Sequence, residues 1–234
     1  MKLLLQRLLT LWTRIYLLCF RGHVIITRGL CFLIHWNNQG KDNVIHCLGG
    51  RLSNARIIMI GDSNQIVVRG EMTHVSFQIE GNNNLIEVCE NSRILKSSFV
   101  ARGNHCRIII GKNTVCFGMM AVAQGQDNDI TIGKDCLFST NIDLWASDTH
   151  TIWDESGEIC NHSRSIHIGD HVWIGKGVAV LKGCTIDNDS VVGMHSLVTS
   201  NIPSSVIAAG SPAKVIKSNI RWDKAYIDQK ESII

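Results

Sequence analysis

Six letters recur five times along the chain. GKDNVI, GDSNQI, GNNNLI, GNHCRI and GQDNDI begin at residues 40, 61, 81, 103 and 125, at intervals of 20 to 22 residues. Self-similarity at a fixed period marks a solenoid, in which each repeat is one coil that buries its apolar side only against its neighbours. The glycine of each copy suits the positive φ of a tight corner. Three positions on stands Asn43, Asn64, Asn84 or Asn128, with Cys106 as the exception. Asparagine tolerates left-handed turns, and stacked amides can bond one another from coil to coil. Five and seven positions on come inward candidates with period 2: Ile45 and Cys47, Ile66 and Val68, Ile86 and Val88, Ile108 and Ile110, Ile130 and Ile132. That pattern is a short strand leaving a corner.

A second period, of six, emerges further along. Ile110 steps to Cys116 and Val122, Ile132 to Phe138 and Leu144, Ile168 to Ile174 and Val180, and Ile186 to Val192 and Val198. Three aliphatic columns at six-residue intervals describe a triangular coil of 18 residues, the separation of Ile168 and Ile186. The expected fold is an all-β solenoid, a stacked parallel β-helix. Only Pro203 and Pro212 interrupt the chain's hydrogen-bonding capacity, both near its end. Ile132 and Ile168 are 36 residues apart, yet the position 18 after Ile132 is His150, which continues no column. One coil therefore carries an excursion of about residues 146–165, and a loop thrown out from a rigid stack is where a site is built.

Composition excludes other classes. A net charge of +3 without an aromatic-and-basic motif argues against a nucleic-acid partner. Nine cysteines, none in a CxxC pair, read as small hydrophobes in a reducing cytoplasm rather than a disulfide framework.

The stretches SDTHTIWDESGEICN, IHIGDHVWIGKGVAVLKGCTI and SLVTSNIPSSVIAAGSPAKVIK resemble the hexapeptide-repeat acyltransferases, in particular the branch that O-acetylates sugars and surface polysaccharides. The likeness is good over about residues 105–217, and the earlier coils match in style. It implies a left-handed β-helix, a homotrimer, acetyl-CoA held between neighbouring subunits, and His150 on the excursion as the catalytic base. Removing the proton of a sugar hydroxyl during attack on a thioester needs such a base, and an imidazole suits neutral pH. Asp148 is the candidate to orient that ring or bind the acceptor. The backbone N–H of Lys176, between Gly175 and Gly177, is the candidate oxyanion donor. Trp173 resembles the family tryptophan near the acetyl group, although period 2 turns it outward. Gly193, Thr199, Gly210, Ser211, Lys214 and Lys217 fall on the positions implied for the rest of the coenzyme. Ser200 stands where many relatives carry a basic residue, so one phosphate contact is absent or supplied elsewhere.

Rival readings stay open at this point. His162 and His167, with His171 or His195 from a neighbour, could make a zinc site of the kind gamma-class carbonic anhydrases build on this fold, although no metal is expected here. Transfer to an amine of an amino sugar, or a scaffold without catalysis, are the functional alternatives. Residues 1–36 form an N-terminal segment, 37–210 the β-helix, and 211–234 a tail with a short helix. Within 1–21, Arg7, Arg14 and Arg21 lie opposite Leu4, Leu8, Leu11 and Ile15. That describes an amphipathic basic helix, either peripheral on the inner face of the cytoplasmic membrane or capping the open end of the stack.

Overall fold

The computed structural model describes residues 5, 7–11, 23–27 and 29–225. It is a left-handed parallel β-helix of about eight turns. Each coil passes through three faces separated by three corners, as in Asp129–Ile132 on face 1, Leu137–Phe138 on face 2 and Ile142–Trp145 on face 3. Face 1 is an eight-stranded parallel sheet. Faces 2 and 3 merge into one fifteen-stranded sheet, because the long strands Arg51–Ile60 and Glu71–Glu80 turn the intervening corner without breaking, bending at Asn54 (φ 50°) and His74 (φ 56°).

The registers follow the sequence columns. Val68, Val88, Ile110, Ile132, Ile168 and Ile186 stack in line on face 1, and the 36-residue step from Ile132 to Ile168 is a single neighbour pairing. All six are buried. On face 2, Ile94, Cys116, Phe138, Ile174 and Val192 do the same. Face 3 corrects one expectation: the residue in line with Phe99 and Leu144 is Ala121, and Val122 pairs with Trp145 instead. The second corner of that coil holds only Phe117 and Gly118, where the next coil has Ser139–Asn141, so the column arrives one residue early. Burial pushes the thiols of Cys47, Cys116 and Cys136 up to about 11, which keeps them protonated as small core side chains.

The corner before face 1 is the most regular part. The left-handed residue there is the one before each asparagine (Asp42, Ser63, Asn83, Asp127) or before Cys106 (His105), and the asparagine serves a different purpose. Its side chain is buried and bonds the next coil. Asn64 Oδ1 accepts from Asn84 N (3.0 Å), Asn84 Oδ1 accepts from Cys106 N (2.9 Å), and Asn64 and Asn84 donate Nδ2 to the carbonyls of Gly81 and Gly103. Those glycines are obligatory. Gly81 and Gly103 have φ of 106° and 116°, and a Cβ on either would sit 1.9 Å from the carbonyl oxygen of the glycine above.

Two boundaries move. Strands begin at His23–Thr27, paired with Val44–Leu48, so the stack starts before residue 37; its first coil lacks the Gly–Asn marker that makes later coils legible. Residues 213–218, placed in a tail with a helix, are a strand that reverses onto Val206–Gly210 in antiparallel pairing. The last coil offers an unpaired sheet edge, and the β-branched Val215–Ile216 pair favours filling it. Residues 226–234 lie outside the described residues. So do residues 1–4, 6 and 12–22, and with them most of the amphipathic segment; residues 5 and 7–11 are helical.

Candidate active site

The excursion leaves face 3 at Trp145 and rejoins face 1 at Ile166. Both ends are tied to the asparagine ladder. Asn128 Nδ2 donates to Ala146 O (2.9 Å), and Ser165 Oγ donates to Asn128 Oδ1 while accepting from Asp129 N. Ser147 Oγ, nearly buried, accepts from Thr149 N and Ser163 Oγ at 3.0 Å, which closes the neck. Gln124 Nε2 from the coil below reaches Thr149 O at 3.1 Å. The far end is a small turn bridged between Trp153 and Ile159, with Asp154 Oδ1 accepting from Ser156 and Glu158 amides.

His150 is exposed, and its main chain is held on both sides. Its carbonyl accepts from Asn161 Nδ2 (2.8 Å), and the amide of Ile152 donates to Asn161 Oδ1 (2.7 Å). Asp148 does not reach the imidazole by any hydrogen bond among the described residues. Its carboxylate accepts from Lys182 Nζ and from Asn161 Nδ2 (3.0 Å). The Lys182 hydrogen bond is the main reason the Asp148 carboxyl lies below its usual range. Lys182 also donates to Asn161 O (2.9 Å), and its side chain is only 13% exposed.

The residues expected at the coenzyme gather elsewhere, at the second corner. Gly175, Lys176 and Gly177 form its turn, where Gly177 N donates to Thr140 O, and Lys176 O accepts from His195 N. No acceptor among the described residues meets the Lys176 N–H. Beside it runs a groove of about 520 Å³ lined by Phe117, Thr140, Asn141, Asp143 and Lys176. One coil on, Ser196 Oγ joins Gly193 to Gly210, donating to the carbonyl of the first and accepting from the amide of the second. Lys214 pairs with Ala209 and Lys217 with Ile207, both exposed beside this turn. Thr199, by contrast, is exposed on the third corner, the one bearing the excursion.

Trp173 points outward from face 2, as period 2 requires, and leans on Trp222 with centroids 5.9 Å apart. Trp222 lies flat on His171 (4.1 Å, 6°) and donates Nε1 to its carbonyl, while Lys224 reaches back to Asn113 O. The one signal of this returning tail in the sequence is a lone tryptophan in the polar run NIRWDK. The candidate metal-ligating histidines are apart within one chain: His167 bonds Thr131 on face 1, His171 bonds Asp189 at the first corner, and His195 sits at the second. Among the described residues no group of three potential ligands converges.

One chain thus carries His150 at one edge of a triangular prism and Lys176 at another. Lys176 and Lys182 bracket face 3, six positions apart, a separation of roughly 15–20 Å when extended.

A left-handed β-helix with a single fastened loop defines a class, and residues 165–200 match the family described as bacterial transferase hexapeptide (six repeats). The chain is 32% identical over 194 residues to a polysialic acid O-acetyltransferase of Neisseria meningitidis, covering 81% of this chain and 89% of the relative. It is 35% identical over 144 residues to a polysialic acid O-acetyltransferase of Escherichia coli O1:K1, covering 60% of this chain and 46% of that longer relative. The crystal structure of the polySia-specific acetyltransferase NeuO superposes with a TM-score of 0.62 at 32% identity, over 91% of this chain and 90% of the other. The chain belongs to the hexapeptide-repeat acetyltransferase family.

Proposed function

We propose that this chain is an acetyl-CoA-dependent O-acetyltransferase that acts on a hydroxyl of a sugar within a surface polysaccharide or lipid-linked oligosaccharide, and that it works as a homotrimer. Family membership supports the reaction class, and the separation of the two half-sites is the observation that carries the arrangement. In a trimer the third corner of one copy meets the second corner of the next, and a shared seam unites His150 with Lys176. His150 takes the proton of the acceptor hydroxyl as its oxygen attacks the thioester carbonyl. The Lys176 N–H, free of any protein acceptor among the described residues, stabilises the oxyanion. The carbon–sulfur bond then breaks, and the imidazolium returns its proton to the departing thiolate, leaving an acetyl ester and free CoA. Gly193, Gly210, Ser211, Lys214 and Lys217 would flank the coenzyme beyond the thioester, with Trp173 beside the acetyl group and Thr199 reaching it from the loop-bearing corner. Asp148 serves the base by anchoring its loop rather than by touching the ring.

A polymeric acceptor is supported by a second groove, of about 420 Å³, on the loop-bearing corner below the excursion, where Gln65, Asn83, His105 and Arg107 offer sugar-binding groups. Peripheral contact with the inner face of the cytoplasmic membrane is supported by Leu5, Leu8 and Leu11, which are about half exposed on the described helical residues. No helix among the described residues is long and apolar enough to cross a membrane.

The test is thiol release from acetyl-CoA with oligosaccharide acceptors. His150→Ala should lower kcat by about 10²–10⁴ with little change in KM for acetyl-CoA. Co-expressing His150→Ala with Lys176→Pro, each inactive alone, should restore about a quarter of wild-type seams by random mixing. Undiminished turnover in His150→Ala would end the base assignment, and mixed trimers with no activity would end the shared seam.

A further inference from the structure

We infer that Lys182 and Asn161 are positioning residues for the transfer step, acting on His150 through a clasp closed on the Asp148 carboxylate; this rests on the reading of His150 as the base.

The clasp joins three pieces of chain that are distant in sequence. Asp148 and His150 lie on the outgoing limb of the excursion, Asn161 on the returning limb, and Lys182 at the third corner of the following coil. Lys182 follows Leu181, whose strand is fixed in register with Trp145, the last residue before the excursion. The ammonium therefore starts from a rigid element. Its stem is mostly covered, and the head bonds both limbs at once, at Asp148 Oδ2 and Asn161 O. Asn161 is used in full: Oδ1 holds the Ile152 amide, and Nδ2 holds both Asp148 Oδ2 and the His150 carbonyl. Every one of these bonds lands within two residues of His150 or on Asn161 itself. The tip of the loop, by contrast, is organised by its own bonds, at Asp154 and across the Trp153–Ile159 bridge.

An exposed base on a twenty-residue excursion would otherwise sample many positions, and a displacement of about 1 Å can cost a hundredfold in rate. A surface ion pair that merely stabilised the fold would not need to engage the backbone flanking one histidine. The clasp fixes that backbone while leaving the ring free to face the neighbouring subunit.

Lys182→Met keeps the stem and removes the ammonium. The expected result is a kcat lower by about 10–100-fold, the range for losing an outer-shell partner, with KM for acetyl-CoA within about twofold because the second corner is untouched. Lys182→Arg should recover most of the rate, since a guanidinium can bond the same two oxygens. Asn161→Ala, which leaves the covered lysine stem in place, should show the same split between kcat and KM. Wild-type kcat in either Lys182→Met or Asn161→Ala overturns the inference, as does a joint change in kcat and KM that arginine does not rescue. His150→Ala measured alongside separates the two readings. If it is inactive while Lys182→Met is normal, only the clasp falls; if it is fully active, the base assignment and the clasp fall together.

Discussion

The buried asparagine ladder offers a sharp perturbation because one rung is naturally different. Asn84 is 1% exposed, donates Nδ2 to Gly103 O at 2.9 Å and accepts from Cys106 N at 2.9 Å. In Asn84→Ala both backbone groups lose a partner, the Cys106 amide in a fully buried site and the Gly103 carbonyl in a half-buried one. An orphaned buried group costs about 1–3 kcal/mol, so the pair should cost about 2–6 kcal/mol. For a chain of this size, at about 2–4 °C per kcal/mol, the midpoint should fall by about 5–20 °C. Cys106 occupies the next rung, and its thiol donates to Gly125 O at 3.3 Å, a weaker bond than the amides make. Cys106→Asn should therefore act in the opposite direction, stabilising by about 1 kcal/mol and raising the midpoint by about 2–4 °C. Thermal unfolding followed by far-UV circular dichroism, at one fixed protein concentration because assembly shifts the midpoint, measures both. An Asn84→Ala variant within about 0.5 kcal/mol of wild type would refute the claim that these amides carry coil-to-coil stability. So would a Cys106→Asn variant that melts lower than wild type.

Asp148 makes a pH-dependent contribution whose sign is set by Lys182. Its folded-state carboxyl is held below the ordinary value of 3.8, so the stabilisation is complete above that value and is lost as pH falls through the depressed one. The midpoint difference between wild type and Asp148→Asn should be level from pH 5 upward, correspond to about 1 kcal/mol or less for a half-exposed pair, and vanish at more acid pH; a difference that grows on acidification would reverse the assignment. Trp222→Ala strips the ring from His171 and Trp173 together with its bond to the His171 carbonyl, and should cost about 2–4 kcal/mol, below the range of full core truncations because only part of the ring's surroundings is core. Near-UV circular dichroism should lose the signal of the coupled indoles, and an unchanged spectrum would show that the tail does not hold Trp173.

What the chain repeats, it also reveals. Asn64 and Asn84 announce a corner because the same corner occurs again 20 residues on, and Ile132 and Ile168 can be aligned across the excursion because every other coil supplies the column they belong to. The same regularity misleads where a corner is one residue short, so that Ala121 rather than Val122 faces inward. It is silent about the end of the stack, where Lys214 and Lys217 lie on a strand set by the edge left open by the last coil. The candidate site falls on the unrepeated side of this divide. His150 is located by the failure of a period, but Lys182 in VLKGC reads as an ordinary corner residue, and nothing in the spacing links it to Asp148, 34 positions earlier. Catalytic geometry on a solenoid has to be built this way. A contact that every coil could make would place equivalent groups at every level, and a single base at a single height needs bonds that no other coil can copy.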